Sequence, residues 1–297
     1  MRSSLRASAA LTTRVCRAAI LILALCLSVL LLASCDLSSK AQSAPKETTT
    51  SSSAPVTTTS TTTAPTTTTT TANALPAGQP LAGKIVGIDP GHNGLNYTDP
   101  SFLNQQVFNG REMEDCDTTG TETASGYTEA EFNFNVAQLL TTDLQGEGAK
   151  VVLTRTTNSG VGPCVAKRAE ILNAADANVA IDIHADGGPT SGRGFAILEP
   201  VADGPNSAVI APSVAFGSDI KASFLTVTGM PISTYDGTNG FTYRDDLAGL
   251  NLTTVPKVLI ECGNMQNATD SALLISPQFQ QNAALALALA ITNFLTA

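Results

Sequence analysis

Five short apolar runs, each breaking off into polar or glycine-rich sequence, recur along the last three quarters of the chain. Ile85-Val86-Gly87-Ile88 leads into Asp89-Pro90-Gly91-His92, Val179-Ala180-Ile181-Asp182-Ile183 into His184-Ala185-Asp186-Gly187, and Val258-Leu259-Ile260 into Glu261-Cys262-Gly263. Lys150 to Arg155 and Gly194 to Glu199 are the other two. Runs of this length bounded by turn residues read as buried strands. Between them the period changes. Thr128 and Glu131 form a capping box, and Phe132, Val136 and Leu139 or Leu140 follow at helical spacing, with Glu129 in the first turn extending the same apolar face. Val165 to Asp176, Ser207 to Val227, Asn267 to Ser276 and Pro277 to Leu295 are further predicted helices. Strand and helix alternate, so the expected fold class is α/β, a single domain with a largely parallel twisted sheet flanked by helices. Asn93 to Tyr127 reads as one long irregular segment, and Phe241 to Leu250 fits no element well.

The pattern fails in the first quarter. Arg2, Arg6, Arg14 and Arg17 precede an uncharged apolar stretch from Ala18 to Ala33, and then Leu32-Ala33-Ser34-Cys35, which is the layout of an export signal. A small-residue pair before cysteine resembles the bacterial lipobox, which makes residues 1–35 a lipoprotein-type signal and Cys35 the lipid-bearing, membrane-anchored start. An ordinary cleaved signal or a membrane anchor is the alternative. Residues 36–80, with the nearly unbroken threonine run from Thr57 to Thr71, cannot bury a core and are expected to form a disordered stalk. The folded domain is expected over 81–297, as a monomer.

Charge and cysteines narrow the picture further. The whole chain carries a formal charge of −9, and from Gly83 onward 10 lysines and arginines face 23 aspartates and glutamates, so nucleic-acid binding is excluded for want of a basic face. Beyond the leader the cysteines are Cys116, Cys164 and Cys262. In an exported protein the two in polar surroundings, Cys116 and Cys164, are expected to pair, leaving Cys262 free at the end of its apolar run. A zinc–thiolate site is the rival, but the chain has no Cys-x-x-Cys.

His92 and His184 are the chain's only histidines, and both follow a strand. One such histidine is ordinarily a hydrogen-bonded core residue. Two at matching strand ends point to metal, since imidazole is the commonest metal ligand and the carboxyl edge of an α/β sheet is where ligands bind. Glu129 and Glu261 reach the same edge, and two histidines with one glutamate are a catalytic zinc set. Asp89 and Asp186 are read either as partners orienting the histidines or as loop caps.

At these residues the chain resembles the zinc-dependent N-acetylmuramoyl-L-alanine amidases of the amidase_3 family. The resemblance runs from about Lys84 to Leu295 and rests on Ile88-Asp89-Pro90-Gly91-His92, Gly126-x-x-Glu129, Leu153-Thr154-Arg155, Arg168 with Asn173, Ile183-His184-Ala185-Asp186, and Leu259-Ile260-Glu261-x-Gly263 followed by Asn267. It implies that 81–297 is the catalytic domain, that His92, Glu129 and His184 hold Zn2+, and that Glu261 is the catalytic carboxylate. It further implies that the substrate is peptidoglycan, cut between N-acetylmuramic acid and L-alanine, so that the enzyme faces the cell wall. Three positions depart from the family: Asn93 and Asn264 replace a usual glycine and phenylalanine, and Asp182 a usual serine. Another exported zinc hydrolase and a catalytically silent wall-binding lipoprotein remain the alternatives; the absence of His-Glu-x-x-His argues against the commonest zinc peptidases.

Overall fold

The computed structural model of the chain describes residues 74–202 and 204–297. The leader expected over 1–35, its Cys35, and the stalk as far as residue 73 lie outside the described residues. In chain order the elements are β1 (Ile85–Pro90), α1 (Pro100–Leu103), β2 (Gln106–Phe108), β3 (Met113–Asp115), α2 (Glu129–Gly146), β4 (Lys150–Leu153), α3 (Val165–Ala174), β5 (Val179–Asp186), β6 (Ala196–Pro200), α4 (Ile210–Thr228), β7 (Phe241–Arg244), α5 (Ala248–Asn251), β8 (Lys257–Asn264), α6 (Ala268–Leu274) and α7 (Pro277–Thr296).

Six strands form one sheet in the order β4-β1-β5-β8-β6-β7. The first four are parallel, while β6 runs antiparallel to β8 and parallel to β7. The reversal has a local cause: the link from β5 to β6 is a glycine-rich loop, too short for the crossover that parallel strands need. Side chains alternate across the sheet. Val86, Ile88, Ile181, Ile183, Val258 and Ile260 enter the main core with Phe132, Val136 and Leu140 of α2, Phe216 and Ile220 of α4, and Leu287 and Ile291 of α7. On the other face lie α3 and α5. Leu172 packs with Ala180 and Val255, and Leu250 with Leu198 and Leu259. Asp89, Asp182, Lys257 and Glu261 alternate with the first set and therefore share this second face.

Two expectations are corrected. The segment from Asn93 to Tyr127 is not irregular throughout: it holds a 3-10 turn at Asn96–Thr98, the single turn α1, and a β2–β3 hairpin. Asn109 builds the hairpin turn, its Oδ1 accepting from the backbone N–H of Arg111 and Glu112, while Gly110 takes φ +107°. The packed unit also begins ahead of Leu81, since Leu75 packs on the main core. Cys116 and Cys164 are bonded, with Cα atoms 4.6 Å apart, and Cys262 is free and buried.

Candidate metal centre

His92, Glu129 and His184 meet at the carboxyl edge of the parallel strands. Each offers one ligand atom, and the three atoms lie within 4.8 Å of one another. Different devices bring each side chain there. His92 leaves β1 with φ +57°, a left-handed conformation uncommon for a residue with a side chain, and strain of this kind is typically held at functional sites. Glu129 comes from the first turn of α2, whose N-cap Thr128 accepts from the Glu131 N–H at 3.3 Å. His184 sits on β5 itself, in register with Glu261 on β8, and the pairing shifts between His184 and Asp186.

Glu129 bridges the two imidazoles: Oε1 is 2.8 Å from His184 Nδ1, and Oε2 is 3.2 Å from His92 Nε2. It also accepts from the N–H of Thr121 at 2.9 Å and of Ala185 at 3.3 Å. Burial works against its charge, but the two histidines hold its carboxyl well below the usual range. The reciprocal effect, again against burial, lifts His92 to about 9 through Glu129 and Asp117, and lifts His184 well above its ordinary value through Asp182 and Glu129. A metal must therefore displace protons to bind, and its affinity falls with falling pH.

Each histidine has a second carboxylate. Asp117 Oδ1 lies 3.4 Å from His92 Nδ1, and Asp182 Oδ1 lies 3.2 Å from His184 Nε2. His92 Nδ1 also lies 3.2 Å from both the carbonyl and the hydroxyl oxygen of Thr118, so Asp117 shares that side of the ring. Asp89 instead accepts from Thr154 at 2.6 Å, Lys257 at 2.7 Å and Arg168 at 3.1 Å, and Asp186 caps the Gly187 N–H at 2.6 Å and accepts from Tyr235 at 2.8 Å. The sequence reading missed Asp117, Thr118 and Thr121, which reach the centre from inside the long segment. Gly120 was the available signal: it has φ +72°, and a Cβ there would stand 2.7 Å from His92 Cδ2 and 2.8 Å from Glu129 Oε2.

Glu261 belongs to the same cluster. Its Oε2 is buried without a hydrogen-bond partner. Burial, reinforced by Glu129 and Asp186 and opposed by both histidines, pushes its carboxyl up to about 8. It opens onto a cavity of about 280 Å³ lined also by Tyr235, Asp236 and Arg244.

The comparisons with known proteins agree with this arrangement. The family model for N-acetylmuramoyl-L-alanine amidase matches residues 86–293. The chain is 41% identical over 225 residues to the N-acetylmuramoyl-L-alanine amidase Rv3717 of Mycobacterium tuberculosis, covering 75% of this chain and 90% of the relative. Among solved structures, the amidase Ami1 of Mycobacterium smegmatis is 39% identical with a TM-score of 0.68, over 72% of this chain and 98% of that one. Ami1 of Mycobacterium abscessus is 41% identical with a TM-score of 0.68, over 72% and 100%. With the fold, the donor cluster and the family match in agreement, the chain belongs to the N-acetylmuramoyl-L-alanine amidase family.

Proposed function

We propose that this chain is a zinc-dependent amidase that cleaves the bond between N-acetylmuramic acid and L-alanine in peptidoglycan, with His92, Glu129 and His184 as the zinc ligands and Glu261 as the proton carrier. The observation that carries the reading is the convergence of those three donors within 4.8 Å. Their chemistry fits zinc. Two imidazoles and a carboxylate are a catalytic zinc set. The Glu129 oxygens lie at 2.8 and 3.2 Å from the histidine nitrogens.

When bound, zinc supplies Lewis acidity for the scissile carbonyl and activates water near neutral pH. Glu261 takes the proton from the attacking water and delivers it to the departing amine of L-alanine. Its Oε2 has no hydrogen-bond partner among the described residues, which leaves it open to a water there. Asp117 and Asp182 keep the two imidazoles oriented. The leader places the enzyme outside the cytoplasm, anchored by lipid on Cys35 and facing the wall. Mass spectrometry of the mature protein tests this, and an unmodified start at another residue refutes it.

The test of the site uses two variants. Glu129→Ala removes one of three ligands, so metal content falls. Glu261→Gln retains about one zinc per chain while turnover on purified walls drops by roughly 10²- to 10⁴-fold. Zinc lost in Glu261→Gln, with metal and activity kept in Glu129→Ala, would reverse the roles. Walls that are bound but release no peptide-free muramic acid with the unaltered chain would sink the amidase reading.

A further inference from the structure

Beneath the metal centre, on the sheet face covered by α3 and α5, runs a row of buried charges to which the hydrolysis assigns no step. Lys257 opens β8 and is fully buried. Its Nζ stands 2.7 Å from Asp89 Oδ2 and 3.4 Å from Asp182 Oδ2, and Asp182 in turn meets His184 Nε2. In the other direction Asp89 Oδ1 accepts from Arg168 Nη1 at 3.1 Å, Arg168 Nη2 donates to Asp117 Oδ2 at 3.1 Å, and Asp117 meets His92 Nδ1. Each histidine thus has a carboxylate, each carboxylate has a buried cation, and both cations share Asp89.

Such a row is a poor way to gain stability, because apolar side chains of the same volume often serve a buried position as well as an ion pair does. Its ends suggest another use. A neutral imidazole carries its proton on one nitrogen, and a carboxylate at that nitrogen fixes the proton there and frees the other for metal. With Asp182 at Nε2, the nitrogen left free is Nδ1, the one that faces Glu129 Oε1. Asp182 is itself held by the Lys257 ammonium, which it shares with Asp89, its register partner on β1.

We propose that Lys257 is a positioning residue for the metal centre: its ammonium, seated between Asp89 and Asp182, fixes the Asp182 carboxylate against His184 Nε2 and so holds the imidazole with Nδ1 turned to Glu129. Arg168 does the same for Asp117 and His92. The inference rests on the reading of His92, Glu129 and His184 as ligands, and extends it to a residue that touches neither metal nor substrate.

The test compares the unaltered full chain with Asp182→Asn, Lys257→Met and the double variant. Each is titrated with zinc against a chelator of known affinity and melted without metal. Asp182→Asn keeps its fold, because Lys257 still pairs with Asp89, but binds zinc 10- to 100-fold more weakly, the usual cost of losing a group that orients a ligand. Lys257→Met leaves two carboxylates facing each other, and lowers both the metal-free melting temperature and zinc affinity. In the double variant the melting temperature recovers towards that of the unaltered chain while zinc affinity stays low. This separation is the signature of positioning. Unchanged zinc affinity in Lys257→Met or in Asp182→Asn overturns the proposal, and so does recovery of affinity together with stability in the double variant. If Lys257→Met fails to fold, Lys257→Gln is titrated in its place and read by the same outcomes. An unaltered chain that takes up no zinc overturns the reading of the ligands, and this inference with it.

Discussion

A methyl group at residue 91 would overlap the imidazole of His184, because the backbone of Gly91 lies directly against that ring. Gly91→Ala should therefore push His184 away from Glu129, and we expect zinc content to fall sharply; metal analysis of the purified variant checks it. That His92, Glu129 and His184 come together, with Glu261 in register beside His184, was legible from the sequence because each is announced locally, by a strand end or a helix cap. Asp117 was not legible, since it reaches His92 through a contact that no local pattern encodes, whereas Asp182 shares a face with His184 by strand alternation, a signal the sequence did offer. Of the three departures from the family, two hold loops: Asn93 donates to Gly162 O at 2.7 Å and accepts from the Gly94 N–H, and Asn264 donates to the carbonyls of Pro189 and Gly192. The third, Asp182, lies between Lys257 and His184, and the register of β5 against β8 brings the lysine there.

At the level of elements, the Cys116–Cys164 bond ties the segment that carries Asp117, Thr118 and Thr121 to the start of α3. Closing a loop of that length stabilises the fold by about 4 kcal/mol in the chain-entropy model. Reduction should lower the denaturation midpoint accordingly and weaken zinc binding as the His92 contacts loosen, and urea titrations with and without reductant measure the first effect. Glu199 on β6 gives a pH dependence away from the site. Burial pushes its carboxyl up to about 7, so its ionisation opposes folding: the stability loss sets in as pH rises past the unfolded value of about 4.3 and is complete above 7. Glu199→Gln should therefore melt higher than the unaltered chain at pH 8, with the difference gone at pH 4. Five of the six sheet strands and the long helices were legible from their patterns, whereas β7 and the β2–β3 hairpin were not, because their strands of three or four residues carry too little alternation to register. The hairpin's Asn109-Gly110 turn was its one available signal.

For the molecule as a whole, the amino-terminal boundary can be tested by truncation. Leu81 is fully buried and its N–H donates to Glu147 O at 3.0 Å, so a chain starting at residue 84 should be less stable than one starting at residue 74 by about 2–5 kcal/mol, as for other losses of a core leucine. Comparison of their denaturation midpoints decides it. The order of the sheet has a different consequence. β8, the last strand in the described chain, fills the gap between β5 and β6 near the middle of the sheet, and it brings both Lys257 and Glu261. Until it is inserted, Asp89 and Asp182 have no lysine and the two halves of the sheet have no common partner. A polypeptide made amino end first therefore delivers this keystone after the other five strands of the sheet. Until it is in place the site lacks Glu261, and hydrolysis waits on it.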